Sequence, residues 1–581
     1  MIEANNLGIR IAKIASRLFS LFLGLPETTR TILATALLSL VAAGTAIAFL
    51  SVTNGLFALT FLNFAKLPLP YFLLTSLLTI GGTSLASGLL LSKISPEAAG
   101  SGIPQLKAAY WTEMGYVPLK PIIVKFIAGA LAIGGGTSLG REGPTVYMGG
   151  GLASLLSAFM GSPKQSRRGP ALIGASASLA AAFNTPLASI TFVLEEIVGD
   201  LSSRSIGRVL LSSIIGAFAV YALIGRQPAF AVPSIENVTW VHYAIAPIVA
   251  IAAAFAGALF HKYALELRKR VKRQRAYPSW LMPLFGALLT WAIAVSIFMA
   301  TGKLGVFGLG YLDLEAVLGN NFVWWVAGIM VVAKLAATIF SYGFGGAGGI
   351  FSPLLFIGGM AGYFIGGLFS LFLPLSPSDR IVLSAVGMST CLGTVLKAPL
   401  STLLIVFEMT HQFAMVPALL IGMFVTMAAS GLTGKENFYD AILVQDGHEL
   451  HKIRPPLDLT GWHRLELSAI ANRKPVIANS IEVRDLEKLL GDHRFQRFPL
   501  VLDGRLVGVL ERGALRDSLS RGLPPKPEEA VTCDEDRLIQ DASELFIKST
   551  GGFLILLDKE QRVSGIVTLH DLLRAQAAIE S

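Results

Sequence analysis

Long apolar runs broken by glycine and proline fill the first three quarters of the chain, and apolar positions interleaved with charged ones fill the last quarter. A helix needs ~20 residues to cross the hydrocarbon core of a bilayer. Runs of that character lie at Ile32–Phe61, Tyr71–Leu91 and Pro121–Gly136, then at Val209–Ile224, Tyr243–Phe260 and Leu281–Ala300, and finally at Val323–Ile339, Leu354–Leu373 and Val416–Ala429. Between them are shorter apolar pieces interrupted at Gly140–Pro144, Asn184–Pro186, Gly345–Pro353 and Lys397–Pro399. At membrane depth a broken helix is tolerated only where it is buried in protein or lines a polar cavity. The breaks therefore predict a site inside the membrane body. Residues 1–27 read as an amphipathic cytoplasmic helix with Arg10, Lys13 and Arg17, and no small-residue cleavage site closes it.

Composition sharpens this picture. Of 581 residues, 53% are hydrophobic and 15% charged, which argues for a multi-pass membrane protein rather than an ordinary soluble one. Residues 1–445 carry 28 Lys and Arg against 16 Asp and Glu, whereas residues 446–581 carry 19 against 22. The chain thus falls into a membrane body and a cytosol-like tail. The densest basic loop, Lys262–Arg275, holds seven Lys and Arg, and Lys164, Arg167 and Arg168 form a second. Both are expected on the cytoplasmic side, with both termini, by the positive-inside rule. That rule accounts for the basic excess, so no nucleic-acid partner is expected. Cys391 and Cys533 fall one in each part and make no disulfide framework.

A weak internal repeat runs through the body. Gly140-Arg-Glu-Gly-Pro144 matches Gly349-Ile-Phe-Ser-Pro353, and Thr185–Glu195 matches Ala398–Glu408, each with a Pro and, nine residues on, a Glu closing an apolar run. Paired, Gly/Pro-interrupted segments in two halves point to the substrate site of a repeat-built transporter. Gly100-Ser-Gly-Ile-Pro104, Gly140–Pro144 and Gly348–Pro353 each put flexible Gly ahead of a Pro, the pattern of a chain turning into a new helix. A helix start leaves free N–H groups and a partial positive charge that favour an anion. Three such starts in an apolar body suit an anion that must also leave, which a full Lys or Arg charge would hold too tightly.

In order and spacing, these three motifs resemble the signature set of the CLC chloride channels and chloride/proton antiporters, over about residues 28–445. The resemblance implies an all-α polytopic fold of about eighteen broken and tilted helices in two inverted halves, assembled in the membrane as a homodimer with one ion path per subunit. It implies that the hydroxyls of Ser101 and Tyr439 (in Lys435-Glu-Asn-Phe-Tyr439) and the backbone N–H groups of Ile350 and Phe351 hold a central chloride. Ser101 favours chloride over nitrate and fluoride on the same ground. Glu142 matches the gating glutamate. A carboxylate at a helix start in an anion path competes for the anion's seat and swings away when protonated, so one residue serves as gate and proton acceptor. Glu196 matches the inner proton-transfer glutamate, and intramembrane carboxylates are usually functional. Its presence favours antiport; the alternative is a passive, voltage-gated type of chloride channel. Lys125 matches a family lysine near the pathway, and Lys107 stands where some antiporters carry an acid.

The tail contains two similar blocks. The first has Lys474–Val476, a helix-like Arg484–Leu490 and strand-like Phe498–Leu502, followed by Gly508–Leu510; the second has Ala530–Thr532, helix-like Leu538–Lys548, strand-like Phe553–Leu557 and Gly565–Thr568 before a final helix. This spacing resembles a tandem pair of α/β CBS domains, which often bind an adenine nucleotide. Thr568 and Asp571 stand at the ribose-contacting positions of the second block, whereas the first has Glu511 and Ala514. The expected division is an N-terminal helix (1–27), a CLC membrane domain (28–445), a linker (446–464) and two CBS domains (465–522 and 523–581).

Other signals carry no chemistry. Gly343–Gly348 fits GxGxxG, but no acid follows about 20 residues on and the segment lies in an apolar run. His448-Glu-Leu-His451 has the wrong spacing for a zinc helix, and no nucleophile–His–acid order or CxxC exists, so neither a metal site nor an enzyme is expected. The expectation is chloride transport across the plasma (inner) membrane in exchange for protons, with no required cofactor.

Overall fold

The computed structural model describes residues 25–200, 206–225, 229–235, 239–429, 431, 434, 436–448, 466–549 and 551–572. The expected N-terminal helix lies outside these apart from its last three positions. The chain divides into two units, Met1–Ile453 and Arg454–Ser581.

In the first unit, α1 (Glu27–Phe57) continues through a π-helical turn to Leu62 and is followed by α2 (Leu69–Lys93), α3 (Ile103–Thr112) and α4 (Leu119–Gly134). Next come α5 (Glu142–Phe159), α6 (Arg168–Phe183), α7 (Pro186–Phe192) and α8 (Ile206–Leu223). The second half runs through α9 (Val241–Arg273), α10 (Met282–Thr301), α11 (Tyr311–Leu318) and α12 (Trp324–Gly343). It closes with α13 (Phe351–Phe369), α14 (Pro377–Leu396), α15 (Pro399–Thr410), α16 (Val416–Ala429) and α17 (Phe438–Gln445). Among the described residues, eight helices are long and apolar enough to cross a membrane.

The breaks read from the sequence are real and occur in pairs. Helices α6 and α14 each end on a left-handed residue, Asn184 (φ 57°) and Lys397 (φ 54°), two positions before a proline that opens the next helix. A left-handed residue ends the hydrogen-bond ladder, and Pro is tolerated at the first helical position. The series α5–α6–α7–α8 is thereby repeated as α13–α14–α15–α16. One membrane-length helix is absent from the runs expected above. Asp379 and Arg380 near the start of α14, and its many hydroxyls, disguise it, yet 94% of its apolar window is buried inside the protein. A helix wrapped by protein rather than lipid can carry such groups if they bond internally, as Thr394 does to the Thr390 carbonyl (2.9 Å) and Ser384 to that of Gly359 (2.8 Å). Helices α13 and α14 cross closely where a Cβ on Gly358 would lie 2.2 Å from the Gly387 carbonyl. Small residues at such crossings let membrane helices approach.

The second unit has two βαββ blocks. In the first, a stretch at Ala478 runs parallel to β1 (Arg497–Leu502), which forms a hairpin with β2 (Arg505–Glu511), and α18 (Val483–Asp492) lies between them in sequence. Helix α19 (Arg512–Ser520) follows. In the second block, β3 (Thr532–Asp534) pairs parallel with β4 (Phe553–Leu557) across α20 (Ile539–Lys548), and β4 pairs antiparallel with β5 (Val563–Thr568). A parallel pairing requires a crossover, here the helix.

Candidate functional site

Three glycine-rich helix starts meet in the first unit. Gly140 and Gly349 form a two-bond antiparallel bridge, each N–H donating to the other's carbonyl at 2.7 and 2.6 Å, so the starts of α5 and α13 are tied together. The loop before α3 docks on the same place. A Cβ on Gly143 would sit 2.2 Å from Ser101 Oγ, and one on Gly102 would sit 2.7 Å from the Cβ of Tyr147. Only glycine allows these backbones so close. Lys125, fully buried on α4, donates to the carbonyls of Gly100 (2.7 Å) and Ala99 (3.3 Å). It holds the Ser101 loop by its backbone.

Ile350 and Phe351 cap and open α13 and are buried, directly after the bridging Gly349. The Tyr439 hydroxyl lies near that of Ser101 and within electrostatic reach of the Glu142 and Glu196 carboxylates. Ser101 Oγ, Tyr439 Oη and Glu142 Oε2 are all buried, and none makes a well-formed hydrogen bond. Buried polar atoms are almost always paired, and three orphans of this kind form a polar seat between helix starts. The chemistry of that set, two hydroxyl donors and N–H groups at a helix start, fits a monovalent anion.

Glu142 is the first residue of α5 and fully buried. Its Oε1 accepts from Tyr311 Oη at 2.9 Å and from Ser352 Oγ, and these two hydroxyls lie 3.0 Å apart. Arg141 Nε stands 4.0 Å from the same oxygen, while its guanidinium lies over the Tyr311 ring (5.3 Å) and donates to Asn54 Oδ1 (3.0 Å). A cavity of about 560 Å³ lined by Arg141, Tyr311, Lys303 and Asn54 opens beyond. A second cavity, about 700 Å³, borders Gly100, Tyr342, Glu113, Arg268 and Lys272. Sequence reading missed Tyr311 and Ser352; Ser352 lay in plain view inside the Gly349–Pro353 motif.

Glu196 sits in a π-helical turn after α7, buried, with Lys107 Nζ at 2.6 Å and Asn437 Nδ2 at 3.0 and 3.2 Å. Lys107, whose effect was open from sequence, also lies 2.7 Å from Asp440. The adjacent Glu195 does something else. Its carboxylate accepts from Ser401 N (3.0 Å) and Oγ (2.5 Å) at the start of α15, while Glu408, at the end of α15, accepts from Leu187 N (2.9 Å) and Ala188 N (2.7 Å) at the start of α7. Each helix ends in a carboxylate that caps the other, which explains the repeated Pro-to-Glu spacing.

In the second unit, Asp571 Oδ2 accepts from Thr568 N (2.9 Å) and Oγ1 (2.7 Å), and Asp571 N donates back to Thr568 Oγ1 (3.2 Å). The pair forms a reciprocal helix cap. Among the described residues no group of three or more His, Cys, Asp and Glu is placed to hold a metal.

A family model described as voltage gated chloride channel matches residues 83–431, and a CBS domain model matches 527–578. The H(+)/Cl(-) exchange transporter ClcA of Vibrio campbellii is 29% identical over 387 residues, covering 64% of this chain and 79% of the relative. In fold the chain is similar to a slow cyanobacterial Cl-/H+ antiporter (TM-score 0.65, 23% identity, covering 73% of this chain and 99% of that one). It is also similar to a eukaryotic CLC transporter (TM-score 0.60, 20% identity, covering 94% and 98%).

Proposed function

Because this chain belongs to the CLC family of voltage gated chloride channels, we propose that it exchanges chloride for protons. The observation that supports this reading is a buried polar seat served by two buried carboxylates: the Tyr439 hydroxyl lies near that of Ser101 and within electrostatic reach of both Glu142 and Glu196. Chloride is held by the Ser101 and Tyr439 hydroxyls and the N–H groups of Ile350 and Phe351. Glu142 competes for that seat when ionised and leaves it on taking a proton, since both it and chloride are single negative charges facing a helix start. Glu196 supplies the proton from the other side. Carboxylates in a membrane body are expensive to keep, and a passive pore has no use for the second.

The Arg268-lined cavity is assigned to the cytoplasmic side. The first basic cluster lines it through Arg268 and Lys272, and the second reaches its rim, where Lys164 pairs with the lining Glu113 (3.8 Å). Concentrated Lys and Arg mark that face, so the reading has both termini on it, with the protein in the plasma (inner) membrane. The homodimer, the domain limits at 28–445, 465–522 and 523–581, and an adenine nucleotide near Thr568 and Asp571 complete the reading by family resemblance.

The test is the reversal potential of the reconstituted protein. In a fixed chloride gradient it is expected to shift when a pH gradient is imposed. A potential indifferent to pH would make the protein a passive channel. Glu196→Gln is expected to end proton movement while chloride still flows; loss of both would assign Glu196 a structural role.

A further inference from the structure

The antiport reading leaves open how a proton reaches Glu196, whose side chain is 1% exposed. One route is built from residues that no part of that reading uses. Lys107, also 1% exposed, lies with its Nζ 2.6 Å from Glu196 Oε1 and 2.7 Å from Asp440 Oδ1, and Asp440 is 27% exposed. The Asp440 contact is a charge contact, off the axis of a normal hydrogen bond. We propose that Asp440 is the cytoplasmic proton port of the exchanger and that the Lys107 ammonium carries protons from it to Glu196.

Three observations point this way. Asp440 alone of the three touches water, so it is the member that can exchange protons with solution. The cluster has one cation against two carboxylates, and a net charge held in a low-dielectric interior is costly; one added proton neutralises it. Finally, the first turn of α17 joins the proton and chloride sites. Its cap Asn437 donates to Glu196 and accepts from the Asp440 N–H (2.7 Å), and between them stands Tyr439 of the anion seat.

The transfer balances. A Lys107 N–H bond breaks as an O–H bond forms on Glu196, leaving a neutral amine. Asp440, protonated from the water it faces, passes that proton to the amine and returns to the carboxylate. One proton moves inward, and no electrons change hands.

The experiment measures protons moved per chloride in liposomes holding the full chain. Asp440→Asn, nearly isosteric, is expected to lower this ratio about 10-fold or more, in keeping with loss of a placed proton-transfer group, and Asp440→Glu is expected to restore it. Lys107→Met is expected to lower it likewise. An unchanged ratio in Asp440→Asn would overturn the proposal and leave the cluster a static ion pair. Chloride flux of Asp440→Asn placed in a Glu142→Ala background reports folding, because that background passes chloride without the gate. Should the unsubstituted protein move no protons, the antiport reading itself falls, an outcome distinct from failure of the port.

Discussion

Glu195 and Glu196 are neighbours in sequence and belong to different regions of the molecule. Glu195 faces the crossing of α7 and α15, where its carboxylate and that of Glu408 cap each other's helices across the internal repeat. Glu196 faces α3 and α17, where it meets Lys107 and Asn437. In the matching position of the second half, the residue after Glu408 is Met409, and the residue matching Glu142 is Phe351. Carboxylates that the repeat preserves serve the architecture; those proposed for transport stand where the two halves differ. On the proposed function, symmetry builds the anion seat and its violation supplies the acid.

Substitutions can break or sharpen this contrast. The largest effect is expected from Glu142→Ala, which removes the gate outright: chloride should flow through liposomes with no accompanying proton flux, and proton pumping that persists would refute the gate. Next comes Glu408→Ala, which strands the Leu187 and Ala188 N–H groups. At roughly 1–3 kcal/mol per unpaired buried donor, thermal unfolding of the full chain in detergent should register a loss of about 2–6 kcal/mol. Tyr311→Phe deletes one of two hydroxyls on Glu142 Oε1. Weakening a hydrogen bond to a charged group, typically about 1.5–3 kcal/mol, should loosen the seated gate and raise chloride flux about 10- to 100-fold in a flux assay. The smallest effect is expected from Asp571→Ala, which removes a helix cap at about 1 kcal/mol and should lower the unfolding temperature of the tail slightly.

What was legible in the sequence follows from how local each signal is. The glycine–proline helix starts could be read because a chain that turns sharply needs particular residues at adjacent positions, and Ser101 and Glu142 lie within them, whereas Tyr439 came only from the family resemblance. The reciprocal caps left only a trace, a proline-to-glutamate spacing without a reason. Tyr311, Asp440 and the Glu196–Lys107 pair were out of reach as partners. Each acts across long stretches of chain, 169 residues for Tyr311 with Glu142 and 89 for Lys107 with Glu196, and nothing local marks them. Helix α14 escaped for the opposite reason. Hydropathy measures a helix against lipid, and this one touches almost none.

The paired backbones of Gly140 and Gly349 restrict how such a machine can move. With the two halves riveted at the point where the ion is proposed to rest, rocking them apart would rip out both rungs and scatter the helix tips. Opening must therefore be played out by a few pivoting side chains against a stationary frame, a swinging latch in a wall that never shifts.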